Sequence, residues 1–316
     1  MVAIDLSANA VARIRFAVSC LWEVVASLRV LRHPSAHAVH LPWVDRVRPR
    51  LTATGGLLWR LVPAEPGYIP DFLTPLPDGL TPDLDTELAA LRATPPEVVR
   101  AHLDAYEYEV PDLYADPEAG LRRLAEEITE YWAVALAPDW PRIRTLLNAD
   151  VHTRTRVLAE HGAAVLLDGL HERVRWRGDG LSIDQRYCSA ADVPDGAGVV
   201  LIPSVFVWPC VLSVPTGESP QLAFPAQGAA TLWEGRARPS EALSAVLGRG
   251  RAQLLVEMRV PVSTTELARR TGMSASGVSQ HLAALRAAGL ATAHRAGKTV
   301  LNTRTTVAEA LLAAAP

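Results

Sequence analysis

The stretch from Val262 to Leu290 constrains the fold more than any other part of the chain. Ser263 or Thr264 suits the cap of a helix ending near Thr271, and Gly272 supplies the left-handed residue of a tight turn. Ser274 then caps a second helix and Gly289 ends it. Two helices joined by a short glycine turn form a helix-turn-helix. At about 100° per residue, Val278, Leu282 and Leu285 share one side of the second helix, with Met273 placed to pack below them. The opposite side, near the helix start, carries Ser276 and Gln280 with Ser279 beside them. Further helical stretches are predicted over Ser240–Leu247 and Gly250–Met258.

Small hydroxyl and amide side chains at the start of a helix are suited to base edges. Glutamine bonds adenine in a bidentate way, serine bonds many edges, and the free N–H groups of the helix end face phosphate. Ala291–His294 and Thr299–Asn302 read as two strands of a wing, joined by Arg295-Ala-Gly-Lys298 with Gly297 in the turn. Arg295 and Lys298 then lie at a tip suited to the sugar-phosphate backbone. His281 lies at the margin of the apolar side and reads equally as a packing residue or a phosphate contact. Thr306–Ala315 is a last helix, too apolar to stand alone in water, so it must pack on a domain or on a second subunit.

Charge divides along the chain in the same place. The whole sequence carries −3. From Ser240 onward it has nine basic and four acidic residues, a surplus of five, so the rest carries −8. A basic segment on an acidic body points to a polyanion partner for that segment alone.

Residues 247–290 and the wing turn resemble the ArsR-type (arsenic-repressor-like) winged-helix family. The resemblance rests on Leu247-Gly-Arg-Gly-Arg-Ala-Gln-Leu-Leu255, Thr265-Glu-Leu-Ala-Arg-Arg270, Ser276-Gly-Val-Ser-Gln-His-Leu282 and Leu285-Arg-Ala-Ala-Gly-Leu290. It implies a homodimer on a near-palindromic operator, often joined through terminal helices. Metal-sensing members carry a cysteine motif on the helix before the turn; here that helix reads Ser-Thr-Thr-Glu-Leu-Ala-Arg-Arg, and the last helix lacks an Asp/His set. No metal and no cofactor is expected.

The chain before this segment reads differently. Helices are predicted over Asn9–Leu31, Leu41–Val47, Gly56–Val62, Asp83–Ala93, Glu97–Glu107 with Pro96 at its first position, Pro117–Ala137 and Val151–Leu170. Proline-rich Tyr68–Pro82 reads as a surface loop. Arg173–Arg177 and Leu181–Tyr187 flank Gly178-Asp-Gly180 as a hairpin. Short strands are expected at Val199–Ile202, Val205–Val207, Val211–Val214 and Gln221–Phe224, separated by prolines.

Signatures of chemistry are missing from that portion. His33, His37 and His40 have spacings that would gather imidazoles on one helix, but Pro34 and Pro42 interrupt it. His171-Glu172 lacks a second histidine four residues after the first, and no Gly-x-Ser-x-Gly or phosphate loop occurs. Cys20, Cys188 and Cys210 are odd in number and far apart, which argues against a disulfide framework. Some of the eight tryptophans, all before the basic segment, suit the walls of an apolar ligand pocket. No apolar run is long enough to span a membrane and no secretion signal is legible, so the cytoplasm is the expected location.

The expected fold is α+β: a mainly helical N-terminal domain with short antiparallel strands (1–230), a linker (231–239) and a C-terminal winged helix-turn-helix (240–316). The expected function is that of a homodimeric, sequence-specific regulator of transcription, a repressor and not an enzyme, bound to double-stranded DNA. Helix Ser274–Ala288 would enter the major groove and the wing Arg295–Lys298 would meet the backbone. Ser274, Ser276, Ser279, Gln280, His281, Arg295 and Lys298 are the contact residues. The N-terminal domain leaves room for a small-molecule effector. The alternative is an enzyme of unknown reaction fused to a DNA-binding module.

Overall fold

The computed structural model describes residues 2–5, 13–51, 55–63, 67–177, 180–184, 198–214, 219–233, 239–258, 261–296 and 299–314. The chain divides into two compact units, Met1–Trp233 and Glu234–Pro316. The class is α+β, as expected. Of the expected linker, residues 231–233 finish a one-turn helix with Leu232 buried, and residues 234–238 lie outside the described residues.

The first unit begins with strands β1 (Val2–Asp5) and β2 (Arg15–Phe16) and helix α1 (Cys20–Arg32). The helix therefore starts at Cys20, not at Asn9, whose own position lies outside the described residues. Ser19 takes the cap, its Oγ accepting from the Trp22 N–H at 3.1 Å, and the buried run Phe16-Ala17-Val18 leads into it from β2. An apolar run before a cap fits a strand as well as a helix, and only pairing decides. Every residue from Cys20 to Leu28 is buried, so α1 is a central helix covered on all sides.

Around α1 lie α2 (Leu41–Val47), α3 (Leu57–Leu61), α4 (Leu84–Arg92), α5 (Pro96–Asp104), α6 (Pro111–Ala115) and α7 (Pro117–Ala135). Helix α7 touches α1, α3, α4, α5 and α6, and its Tyr131 hydroxyl bonds Ser27 Oγ at 2.8 Å inside the core. Helix α8 (Trp140–Asp168) begins eleven residues before the predicted Val151 and breaks at Gly162, whose φ of 81° only glycine adopts readily. The segment Tyr68–Pro82 is not a surface loop throughout. Phe72, Leu73 and Thr74 are buried in and after a 3-10 turn, and Gln221 Nε2 donates to the Thr74 carbonyl at 2.9 Å. Prolines excluded regular structure there without preventing burial.

Two sheets complete this unit. Strands β3 (Val174–Arg177) and β4 (Gly180–Ile183) form the predicted antiparallel hairpin, and β1 adds to its far edge in the order β1-β4-β3. Residues 185–187 of the predicted second strand lie outside the described residues. The other sheet, of order β2-β5-β7-β6, contains β5 (Val200–Ser204), β6 (Leu212–Val214) and β7 (Gln221–Pro225). Only β6 and β7 pair antiparallel; β2/β5 and β5/β7 are parallel. All of β5 is buried, as befits a parallel strand covered on both faces, so no alternation marked its orientation. The predicted strand Val205–Val207 is absent. There the backbone bends, and side chains take its donors: the Val205 N–H bonds Glu23 Oε1 at 2.8 Å and the Phe206 N–H bonds Ser204 Oγ at 3.2 Å.

Glu23 and Glu87 place two carboxyl groups inside this unit, 0% and 2% exposed. Burial raises Glu23 to about 8 and Glu87 to about 7, against the backbone and side-chain donors that favour their charged forms. A carboxyl raised in the folded state contributes stability below its unfolded pKa, near 4.5, and loses it as pH rises through the folded value. The contribution of these two groups to stability should therefore fall between about pH 4.5 and 8. Urea unfolding of the wild type and Glu23→Gln across that range should show a flatter profile for the variant. Parallel profiles would contradict the assignment.

The second unit contains α9 (Glu241–Leu247), α10 (Arg249–Glu257), β8 (Val262–Ser263), α11 (Thr264–Thr271) and α12 (Ala275–Ala287). Strands β9 (Ala291–Ala296) and β10 (Thr299–Arg304) and helix α13 (Thr306–Ala314) follow. Its core joins Leu254, Leu255, Met258, Leu267, Val278, Leu282 and Leu285, and α13 covers it with buried Ala308 and half-buried Leu311 and Leu312. The last helix thus packs on its own domain. Its Val307, 62% exposed, leaves apolar surface uncovered.

Candidate nucleic-acid interface

The turn between α11 and α12 is built as its sequence requires. Of the two candidate caps, Ser263 is used: its Oγ accepts from the Glu266 N–H at 3.2 Å. Gly272 closes α11 with φ 74° and ψ 10°, its N–H bonded to the Ala268 carbonyl at 2.9 Å. Ser274 Oγ accepts from the Gly277 N–H at 3.1 Å and starts α12. Val278, Leu282 and Leu285 are buried on one side of α12, and Met273 packs against them, as the periodicity requires.

The other side is exposed. Ser274, Ser276, Ser279 and Gln280 all face outward within the first turn and a half of α12. Ser274 is committed to capping and also meets Ser276 Oγ at 3.1 Å. Ser279 Oγ donates back to the Ala275 carbonyl at 2.9 Å, which leaves its lone pairs outward. His281 is half-buried, and a Cβ added to Gly250 would lie 2.8 Å from its Nε2. The imidazole therefore packs across the first turn of α10, and this geometry favours the packing reading over phosphate contact.

The wing forms a hairpin longer than expected. Pairing runs from Ala291↔Arg304 to Ala296↔Thr299, so Arg295 sits on β9 opposite Val300 instead of in the connecting turn, and it is exposed. Lys298 and Gly297 lie outside the described residues. A third strand, β8, pairs with β10, and the buried Asn302 amide donates to the Val262 carbonyl at 3.3 Å. Two residues are too few to show a period, so β8 had no sequence signal.

A cation cluster beside the turn was only partly legible. Glu266 accepts from Arg269 Nε at 2.8 Å and Nη2 at 2.6 Å, and from Arg270 Nε at 2.7 Å. These arginine contacts hold the carboxyl down to about 2. One carboxylate thus fixes two guanidinium groups on α11, with Arg269 mostly exposed. Spacings of three and four residues are the only sequence signal for such a clamp.

Residues 254–293 match the family model described as bacterial regulatory protein, arsR family. This ArsR-type segment runs from α10 through both helices of the turn into β9. No curated protein and no solved structure matches the chain. The second unit therefore carries the DNA-binding domain type of ArsR regulators, while the match leaves the first unit unassigned. No helix among the described residues is long and apolar enough to cross a membrane.

Proposed function

We propose that this chain is a homodimeric, sequence-specific regulator of transcription acting in the cytoplasm, as a repressor. The observation that carries this reading is the outward face of α12, polar and uncharged at its start above a wholly apolar underside. Helix Ser274–Ala288 enters the major groove and presents Ser276, Ser279 and Gln280 to base edges. The wing, Arg295–Lys298, lies on the backbone, with Arg269 as a further cation near the turn. Exposed Val246 on α9 (78%) and Val307 on α13 support a second copy as the partner that covers them, and two copies would present two recognition helices about one turn of duplex apart. The first unit serves the dimer or senses a small-molecule effector instead of catalysing a reaction.

Selection of bound duplexes from a random library, followed by electrophoretic shifts, tests this. Arg295→Ala with Lys298→Ala should weaken binding to all sequences and lower the salt dependence by about two counterions. Gln280→Ala should instead change preference at one base pair, by roughly 1–3 kcal/mol. Binding unaffected by both changes would remove this reading.

A further inference from the structure

A cavity of about 450 Å³ lies in the first unit, between α7 and the segment that runs from the end of α2 into α3. Small-molecule sites commonly occupy about 300–1,000 Å³. Glu130, Tyr131 and Val134 follow Glu127 by three, four and seven residues, so all four share one side of α7 and line the cavity together. Leu51 and Trp59 supply apolar wall from the other segment.

Most of the polar groups in this wall are spent on the fold. Glu127 Oε2 accepts from the Leu58 N–H at 2.9 Å, and its Oε1 lies 3.3 Å from Arg123 Nε. A Cβ on Gly56 would lie 2.3 Å from that Oε2, so the glycine lets the carboxylate reach the start of α3. Tyr131 commits its hydroxyl to Ser27 Oγ at 2.8 Å and lends the wall only its ring. Trp59 is fixed by Arg32, whose guanidinium lies 5.9 Å from the ring centroid and donates to the Trp59 carbonyl. Arg48, two residues before Arg50, donates to the Leu31 carbonyl. Two lining groups are left over. Among the described residues, the side chains of Arg50 and Glu130 make no ion pair and no hydrogen bond, and both are exposed.

One uncommitted charge of each sign beside apolar walls suits a ligand that carries both signs. An anion alone would meet Glu130, and a cation alone would meet Arg50, as like charges. We propose that this cavity binds an α-amino acid with a large apolar side chain. Its carboxylate lies on Arg50, its ammonium on Glu130, and its side chain among Leu51, Trp59 and Val134. The guanidinium fork takes a carboxylate in a bidentate way, and both contacts are charge-assisted. The proposal rests on the regulator reading only in making this amino acid the effector; the binding stands without it.

Thermal melting of the full chain, with no DNA present and at constant ionic strength, tests the site. All eight tryptophans precede Glu234, so their fluorescence follows the first unit. L-phenylalanine and L-leucine should raise the wild-type midpoint saturably by a few degrees. Glycine, with both charges and no apolar side chain, should not. Hydrocinnamate, which lacks the ammonium, and phenethylamine, which lacks the carboxylate, then separate the two charges. Arg50→Gln should lose the response to L-phenylalanine and hydrocinnamate and keep that to phenethylamine; Glu130→Gln should lose L-phenylalanine and phenethylamine and keep hydrocinnamate. Both residues are exposed, so either variant should melt within about 2 degrees of the wild type in buffer. No shift with either apolar amino acid would overturn the proposal. So would variants that respond as the wild type does, or that lose all three phenyl probes alike. A failure here leaves the DNA-binding reading untouched, since no duplex enters the experiment.

Discussion

Ser276→Glu should cost the protein on the order of a hundredfold in affinity for every duplex while leaving its melting temperature unchanged or slightly higher. Ser276 is exposed in the first turn of α12, and its hydroxyl meets Ser274 Oγ at 3.1 Å. A carboxylate there lies near the positive end of the helix dipole and stabilises the free protein by about 0.3–1 kcal/mol. Against phosphate the same charge is repelled, and like charges brought together at an interface cost several kcal/mol. Opposite signs for folding and binding make the result decisive. Fluorescence anisotropy with a labelled duplex, beside a melting curve, measures both. An unchanged affinity would place the start of α12 away from nucleic acid.

The largest loss of stability is expected from Glu87→Ala. Glu87 stands on α4, yet its carboxyl caps α1, accepting from Ser19 Oγ at 2.9 Å, the Cys20 N–H at 3.2 Å and the Leu21 N–H at 2.8 Å. All four residues are buried, so no water replaces the lost acceptor. Each buried donor left unmade costs roughly 1–3 kcal/mol, and two are backbone N–H groups. The variant should lose about 3–5 kcal/mol in urea unfolding of the first unit. Glu87→Gln keeps one acceptor oxygen and should fall between the two. A loss for Glu87→Ala below about 0.5 kcal/mol, the range of ordinary surface changes, would mean that this cap is not needed.

The two units differed in how much of them could be read beforehand. In the second, each decisive feature is local. Ser263, Gly272 and Ser274 act within four residues of themselves, and Val278, Leu282 and Leu285 declare a buried face by spacing alone. The exposed face of α12 followed from the same arithmetic. His281 escaped it, because its neighbour Gly250 lies thirty-one residues away.

In the first unit the helices over 41–47, 84–92 and 117–135 followed from capping and periodicity, since a helix bonds only to itself. The sequence on its own thus determined the helix-turn-helix, its caps and which face of its second helix stays exposed. Tertiary structure alone decided that Arg15–Phe16 is a strand, that β2, β5 and β7 run parallel, and that Phe72 and Leu73 are core. It also decided that Glu87 caps a helix sixty-six residues away. Strand pairs and buried carboxyls depend on what residues far along the chain bring to the same place, and no short window of sequence records that.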